Sequence, residues 1–155
     1  MSVAHNDGDS RFVEALDRIL LLTLLLNDDM SKGLARDGLT PSRTSLLYTL
    51  RRLGPSPQRA LAEAMAIAPR TVTGLVDGLV ATGFVTREPH PDDRRATLVT
   101  FTAKGTAAVE KLEAEQREFA GQLFAAMPPA RFEGLVAGLD DVLATLHTLG
   151  LRSPF

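Results

Sequence analysis

The hydrophobic positions of the chain recur with helical periodicity over most of its length. Residues 11–36 form the first such segment, and its apolar positions cover more than one side of a helix. These positions include Phe12, Leu16, Ile19, Leu20, Leu22 and Leu26. So broad an apolar surface predicts a long helix that packs against two partners.

Two shorter helices are predicted next, each introduced by a hydroxyl residue and a proline. Thr40 and Pro41 form a helix cap followed by proline at the first helical position. Ser56 and Pro57 repeat this signal before the segment QRALAEAMA. Inward-facing positions of the first of these helices are Leu46, Leu47 and Leu50.

The helix after these has two clearly different faces. Its apolar residues follow the spacing i, i+3, i+4, i+7, i+8 at Val72, Leu75, Val76, Leu79 and Val80. The opposite face carries Arg70, Thr71, Thr73, Gly74, Asp77 and Gly78. A face of small and hydrogen-bonding side chains suits a helix that enters a DNA groove. The alternative is an ordinary solvated surface, on which Glu and Lys pairs are more common.

A β-hairpin and two more helices complete the pattern. FVTRE and TLVTFT are rich in strand-forming residues and flank the charged loop HPDDRRA. A helix is predicted from Thr102 until Pro128 and Pro129 interrupt it. The last helix has an apolar stripe at Leu135, Leu139, Val142, Leu143 and Leu146 and ends at Gly150.

Three helices followed by a hairpin predict a winged helix-turn-helix, in a mainly α fold with a small β-hairpin wing (α+β). The predicted organisation is a disordered tail (1–10), an N-terminal dimerisation helix (11–37), the winged domain (38–102), C-terminal dimerisation helices (103–150) and a tail (151–155). The terminal helices carry more apolar surface than the winged core can cover, which predicts a homodimer. The predicted contacts are Ile19, Leu22, Leu26, Leu139, Val142 and Leu146. Alternatively, the two terminal helices cover each other within one chain.

Composition excludes several classes of chemistry. The chain has no cysteine, so disulfides, thiolate zinc sites and thiol-based redox sensing are excluded. Its first ten residues are polar, and the apolar run at residues 19–26 is much shorter than the roughly 20 residues of a membrane span. We therefore expect a soluble, cytoplasmic protein.

Charge is distributed unevenly along the chain, although the net charge is only -2. Residues 41–87 hold six basic and two acidic residues, whereas both flanking segments are acidic. A basic middle between acidic arms is typical of a nucleic-acid reader. Chance clustering is the alternative.

The winged fold assigns roles to the polar residues. In the recognition helix, the predicted DNA contacts are Arg70, Thr71, Thr73, Gly74 and Asp77, with Ser56 and Gln58 from the preceding helix. Wing contacts to phosphate or the minor groove are assigned to Arg87, Arg94 and Arg95. Two carboxylates beside these arginines would repel DNA. We therefore predict that Asp93 orients Arg95 or Arg87 instead of facing the phosphates.

The segment Gly74 to Gly105 resembles the core of the MarR family of bacterial transcriptional regulators. The matching elements are LVDGL, then GFVTR, a D-x-R wing motif at Asp93 and Arg95, and T-x-x-G at Thr102 and Gly105. The resemblance covers residues 38–110 by motif. It implies a homodimer that reads a near-palindromic operator, and release of a repressor by a lipophilic or aromatic small molecule.

The chain departs from this family in its recognition helix. Many members carry arginine where this chain has Gly74 and Gly78, and a serine or aspartate cap where it has Ala68. Each glycine should cost roughly 1 kcal/mol of helix stability relative to alanine. We interpret these changes as altered sequence preference and weaker phosphate contact, with DNA binding retained.

Other functional classes find little support in the sequence. His5, His90 and His147 are scattered, and no pair has the spacing of a helical metal site. His90 with Asp92 and Asp93 would hold a divalent ion only loosely. We therefore predict no enzymatic activity, cofactor or metal. The alternative function is a winged protein that has lost operator binding and acts through protein contacts or a ligand.

Overall fold

The computed structural model describes residues 5–93 and 95–151, and this part contains six helices and two strands. Their bounds are α1 His5–Arg36, α2 Pro41–Leu53, α3 Gln58–Met65, α4 Pro69–Ala81, β1 Val85–Pro89, β2 Thr97–Phe101, α5 Ala103–Phe124 and α6 Pro129–Thr148. The order of elements and the antiparallel β1–β2 hairpin confirm the predicted winged-helix fold class.

The chain divides into two compact units within α2, between residues 44 and 45. The first unit contains α1, which begins at His5, so the predicted disordered tail is wrong for residues 5–10. Gly38 ends this region in the left-handed conformation (φ 73°), and the amide of Leu39 donates to the carbonyl of Leu34 at 2.9 Å. The apolar positions Leu22 and Leu26 of α1 are exposed, and Ile19 is only partly buried.

The second unit has its core between α2, α3, α4, the hairpin and the start of α5. The large side chains with less than 2% exposure are Leu46, Leu47, Leu50, Leu61, Val72, Val76, Leu79, Val85, Val99 and Val109. The predicted apolar face of α4 is thus confirmed at Val72, Val76 and Leu79. Val80 is an exception, because 36% of its surface is exposed at the edge of that face.

The predicted helix starts are confirmed for α2 and α4 and wrong for α3. Thr40 caps α2, since its hydroxyl accepts from the amide of Arg43 at 3.3 Å. Helix α4 begins at Pro69 with no side-chain cap, as Ala68 requires. Ser56 does not cap α3, because Pro57 occupies the cap position and provides no side-chain hydrogen bond.

Ser56 instead extends the wing sheet. Strands β1 and β2 pair with Arg87 opposite Val99 and Pro89 opposite Thr97. The backbone of Ser56 forms a bridge to Val99 on the other side of β2, with hydrogen bonds of 2.8 and 3.2 Å. The wing is therefore anchored at its base to the segment between α2 and α3.

The start of α5 is fixed against the turn between α4 and β1. Thr102 caps α5 by accepting from the amide of Gly105 at 3.0 Å, and its hydroxyl donates to the carbonyl of Gly83 at 2.6 Å. A Cβ atom at Gly105 would lie 1.8 Å from the carbonyl oxygen of Phe84. The T-x-x-G motif therefore combines a helix cap with a close approach that only glycine permits.

Helix α6 buries none of its side chains. Leu139 and Val142 of its apolar stripe are exposed, and Leu146 is only partly buried. Its visible packing in the chain includes a ring contact between Phe132 and Phe124, whose centroids lie 5.6 Å apart.

No single helix in the described ranges is long and apolar enough to span a membrane; α3 and α4 reach the required length and hydropathy only as a pair bent by 116°.

Candidate nucleic-acid interface

The face of α4 opposite the core is open to solvent. Arg70, Thr71, Thr73, Gly74 and Asp77 are all exposed on this face. Val72, Val76 and Leu79 pack the opposite side of α4 into the core, so these five residues point away from it. The structure therefore brings the five predicted recognition-helix residues to one accessible surface, which we call the α4 surface.

Gly74 lies in the middle of the α4 surface. A Cβ atom added there would meet nothing within 4 Å, so packing inside the chain does not require glycine. A solvent-exposed glycine in a helix interior costs roughly 1 kcal/mol relative to alanine. The predicted loss of helix stability at this position therefore has no compensation in the contacts of the chain itself.

A chain of hydrogen bonds joins the α4 surface to α3 and to the base of the wing. Nη2 of Arg87 donates to Oδ1 of Asp77 at 2.5 Å. With the Gln58 amide oriented by its hydrogen bonds, its oxygen accepts from Nε and Nη2 of Arg87 at 3.2 Å. The Gln58 nitrogen then donates to Oγ1 of Thr73 at 3.0 Å. We call these four residues the Gln58–Asp77 network.

The network changes the predicted role of Arg87. The sequence assigns Arg87 to the DNA backbone and predicts that Asp93 orients either Arg87 or Arg95. In the structure, the partner of Arg87 is Asp77, from a different element. The reason is register, since Arg87 pairs with Val99 well below the hairpin tip, whereas Asp93 lies in the tip itself.

Asp93 shapes the wing tip through the backbone. Its Oδ1 accepts from the amide of Arg95 at 2.9 Å, and its carbonyl accepts from the amide of Ala96 at 3.0 Å. The predicted contact between Asp93 and Arg95 is therefore present, but the predicted atoms are wrong. The Asp93 carboxylate accepts from the main-chain amide of Arg95 and does not contact its guanidinium. Arg94, the other predicted wing contact, lies outside the described residues.

His90 also contributes to this turn. Its Nδ1 accepts from the amide of Asp92 at 3.1 Å, and its own amide donates to the carbonyl of Ala96 at 3.0 Å. Within residues 5–93 and 95–151, no three His, Asp or Glu side chains converge in a way that could hold a metal ion.

Ser56 is not available to DNA, contrary to the sequence prediction. Its side chain is buried, and its hydroxyl donates to the carbonyl of Gly54 at 2.9 Å. Burial results from the bridge to Val99, which draws Ser56 into the sheet.

Two arginines of this region are exposed, one within the α4 surface and one on the wing. Arg70 lies in the first turn of α4, and Arg95 lies at the wing tip. Neither guanidinium forms an ion pair with another residue of the described ranges. An arginine without an internal partner keeps its charge available for a phosphate.

Sequence reasoning missed the coupling between these groups. Asp77 is one of only two acidic residues in the basic segment 41–87. A lone acid on a face expected to approach DNA indicates a basic partner, and this signal could have suggested the pair with Arg87. The contribution of Gln58 could not be found in this way, because it depends on how α3 and β1 meet.

Comparison with known proteins relates the sequence of this chain to one family. The family model described as MarR family matches residues 39–97. An HTH-type transcriptional regulator of Mycobacterium bovis is 30% identical over 103 residues, which cover 66% of this chain and 72% of that protein. The HTH-type transcriptional repressor YetL of Bacillus subtilis is 33% identical over 91 residues, or 56% of this chain and 53% of YetL. This chain thus spans about half the length of the first curated relatives it matches.

A solved structure shows the same fold. FabT of Streptococcus pneumoniae in complex with DNA superposes with a TM-score of 0.75 at 16% identity. The match covers 90% of this chain and 98% of FabT.

Proposed function

The chain belongs to the MarR family of transcriptional regulators, and on this premise we propose that it binds double-stranded DNA as a homodimer. The observation that carries this proposal is the α4 surface, which is exposed, lacks bulky apolar groups and is joined to the wing by the Asp77–Arg87 pair. On the wing, Arg95 forms no ion pair with another residue that the structure describes. A helix of this kind fits the major groove while the wing follows the backbone. FabT, which shares the fold, has been solved in complex with DNA.

The contacts divide into reading and positioning groups. Arg70, Thr71, Thr73 and Asp77 face the bases from α4, and Gly74 leaves room for the groove floor. Arg95 and Arg94 supply wing contacts to phosphates or the minor groove, which carry affinity without sequence information. Gln58 acts through Thr73 and Arg87, to which it is hydrogen-bonded.

The dimer is supported by the apolar residues that the chain leaves exposed. On α1 these include Leu22 and Leu26, and on α6 they include Leu139 and Val142. Apolar stripes of this length are rarely left in water by a stable monomer. A twofold dimer would present two α4 surfaces to a near-palindromic operator.

We further propose that the protein is a repressor that a small lipophilic or aromatic molecule releases. Its relative YetL carries the name of a repressor. On α2, the buried hydroxyl of Ser45 has no hydrogen-bond partner among the described residues, and Tyr48 lies one turn further along. Burial and then the charges of Glu113 and Glu115 raise the pKa of the Tyr48 phenol, so it stays a neutral donor at physiological pH. A polar group on an otherwise apolar ligand would satisfy the Ser45 hydroxyl.

Selection of binding sites from random duplexes by the purified chain tests the central proposal. We expect enrichment of a near-palindrome whose half-sites lie about one helical turn apart. Affinity for this site should fall by orders of magnitude between roughly 50 and 200 mM salt. If no palindrome is enriched at low salt, the chain is not an operator-binding regulator, and the alternative of a protein-interaction or ligand-binding module is favoured.

Release of that duplex by a panel of phenols and aromatic carboxylates tests the effector. A compound that releases the native chain should lose potency against Ser45→Ala and Tyr48→Phe. Unchanged potency against both variants would place the effector elsewhere.

A further inference from the structure

Asp77 is an anion at the centre of a surface that we propose to face DNA. Its side chain is 59% exposed, and Gly74, one turn earlier on the same face, has no side chain to screen it. A carboxylate opposite phosphates is unfavourable unless it has a cationic partner or a hydrogen-bond donor to meet. General attraction between a basic surface and DNA therefore does not explain an acidic residue at this position.

The Gln58–Asp77 network holds this carboxylate in one orientation. Arg87 approaches Oδ1 from β1, and Gln58 holds Nε and Nη2 of Arg87 from α3. Three elements thus fix the pair, so little side-chain freedom is left to lose when DNA binds. Arg87 also offsets the charge of Asp77, which lowers the repulsion from the phosphates.

An oriented carboxylate can only accept hydrogen bonds at neutral pH. In the major groove, cytosine presents its N4 amino group and adenine its N6 amino group as donors, whereas guanine and thymine present only acceptors at the corresponding edges. A fixed acceptor on α4 would therefore discriminate between these two classes of base.

We propose that Asp77 reads an exocyclic amino group, of cytosine or adenine, at one position in each half-site. Arg87 positions the carboxylate of Asp77 and affects base preference only through it. It does not itself neutralise a phosphate. This inference rests on the proposed DNA-binding function and adds the base class that one residue of the α4 surface selects.

The test measures base preference position by position. After site selection with the native chain, the four bases are compared at every half-site position by competition binding at one salt concentration. We expect one position at which cytosine or adenine is favoured over guanine and thymine by about tenfold. Asp77→Ala should reduce that preference to less than about twofold and leave the other positions unchanged.

Two further variants separate reading from folding. Asp77→Asn keeps the size of the side chain and one acceptor oxygen, and its amide nitrogen adds a donor. A preference for cytosine should therefore be lost, because the amide can also donate to guanine or thymine, whereas a preference for adenine should be kept, because asparagine pairs with N6 and N7 of adenine. Arg87→Ala should weaken the preference at that position and no other. Glu88→Ala removes a neighbouring exposed carboxylate from β1 and should leave all preferences as in the native chain. Thermal unfolding of each variant confirms that it is folded.

The outcomes distinguish the two proposals. If the native chain selects a palindrome and Asp77→Ala keeps every base preference, or lowers affinity for all sequences alike, the reading role of Asp77 is overturned while DNA binding stands. If the native chain selects no site, the DNA-binding proposal fails, and the role of Asp77 fails with it.

Discussion

At the scale of single residues, Gly105 allows the start of α5 to pack closely against the residue before β1, because it has no side chain. Its Cα lies so close to the carbonyl of Phe84 that a Cβ atom would approach to 1.8 Å. Lys104 lies across the ring of Phe84 at 4.4 Å and donates to the carbonyl of Thr82 at 2.6 Å. Two adjacent residues of α5 therefore contact the turn between α4 and β1.

Gly105→Ala should destabilise the chain by about 3 kcal/mol, because the backbone carbonyl cannot move away as a flexible side chain could. The measurement is the free energy of unfolding in urea. Gly121→Ala is the matched control in the same helix, since a Cβ there meets nothing within 4 Å, and it should stabilise the chain by up to about 1 kcal/mol. Equal effects of the two substitutions would contradict the close approach.

The residue scale is also where sequence reasoning was least complete. The T-x-x-G motif at Thr102 and Gly105 was identifiable, but the carbonyl that requires its glycine belongs to another element. Likewise, Asp93 was identifiable as a holder of Arg95, whereas the choice of the main-chain amide over the guanidinium depends on the local turn. Residue types can be read from the chain, but their partners depend on the tertiary fold.

At the scale of elements, the wing combines an anchored base with a charged tip. Ser56 pairs with Val99 at the base, and Asp93 with His90 shapes the turn at the tip. Arg95 is thereby presented on an ordered turn without an internal ion-pair partner in the described ranges.

Arg95→Ala should weaken binding to all duplexes by a similar factor and lower the salt slope by about one, because one phosphate contact is removed. Titration of the selected duplex and of a scrambled duplex at several salt concentrations measures both quantities. Arg59→Ala is a suitable control, since Arg59 is exposed but paired with Glu63 on α3. An unchanged salt slope for Arg95→Ala would remove the wing from the interface.

Most elements could be predicted from periodicity and start signals. The i, i+3, i+4, i+7 spacing located α4 because Val72, Val76 and Leu79 are buried on one of its faces. Ser56 was misassigned because a serine before a proline is equally compatible with a helix cap and with a short strand. Only the pairing with Val99, which lies 43 positions later, decides between them.

At the scale of the whole molecule, exposed apolar surface dominates both ends of the chain. Leu139 and Val142 lie on the stripe of α6, while Ala137 lies on its opposite face. The acidic balance of the flanking segments leaves the basic charge concentrated in the winged domain. This distribution is suited to a dimer that approaches DNA with its winged domains first.

Light scattering at micromolar concentration should give the mass of a dimer for the native chain. Leu139→Asp should produce a monomer, because it places a charge in the centre of the proposed contact. Ala137→Asp introduces the same charge on the other face of α6 and should remain dimeric. A monomeric native chain would refute the homodimer.

A helix that buries no side chain within its own chain is only weakly stabilised in the monomer. For α6, association and folding are therefore expected to be one event. The melting temperature should then rise with protein concentration, and at low concentration the C-terminal part should be the first to yield to proteases. The amount of regulator in a cell would in this way help to set its own lifetime.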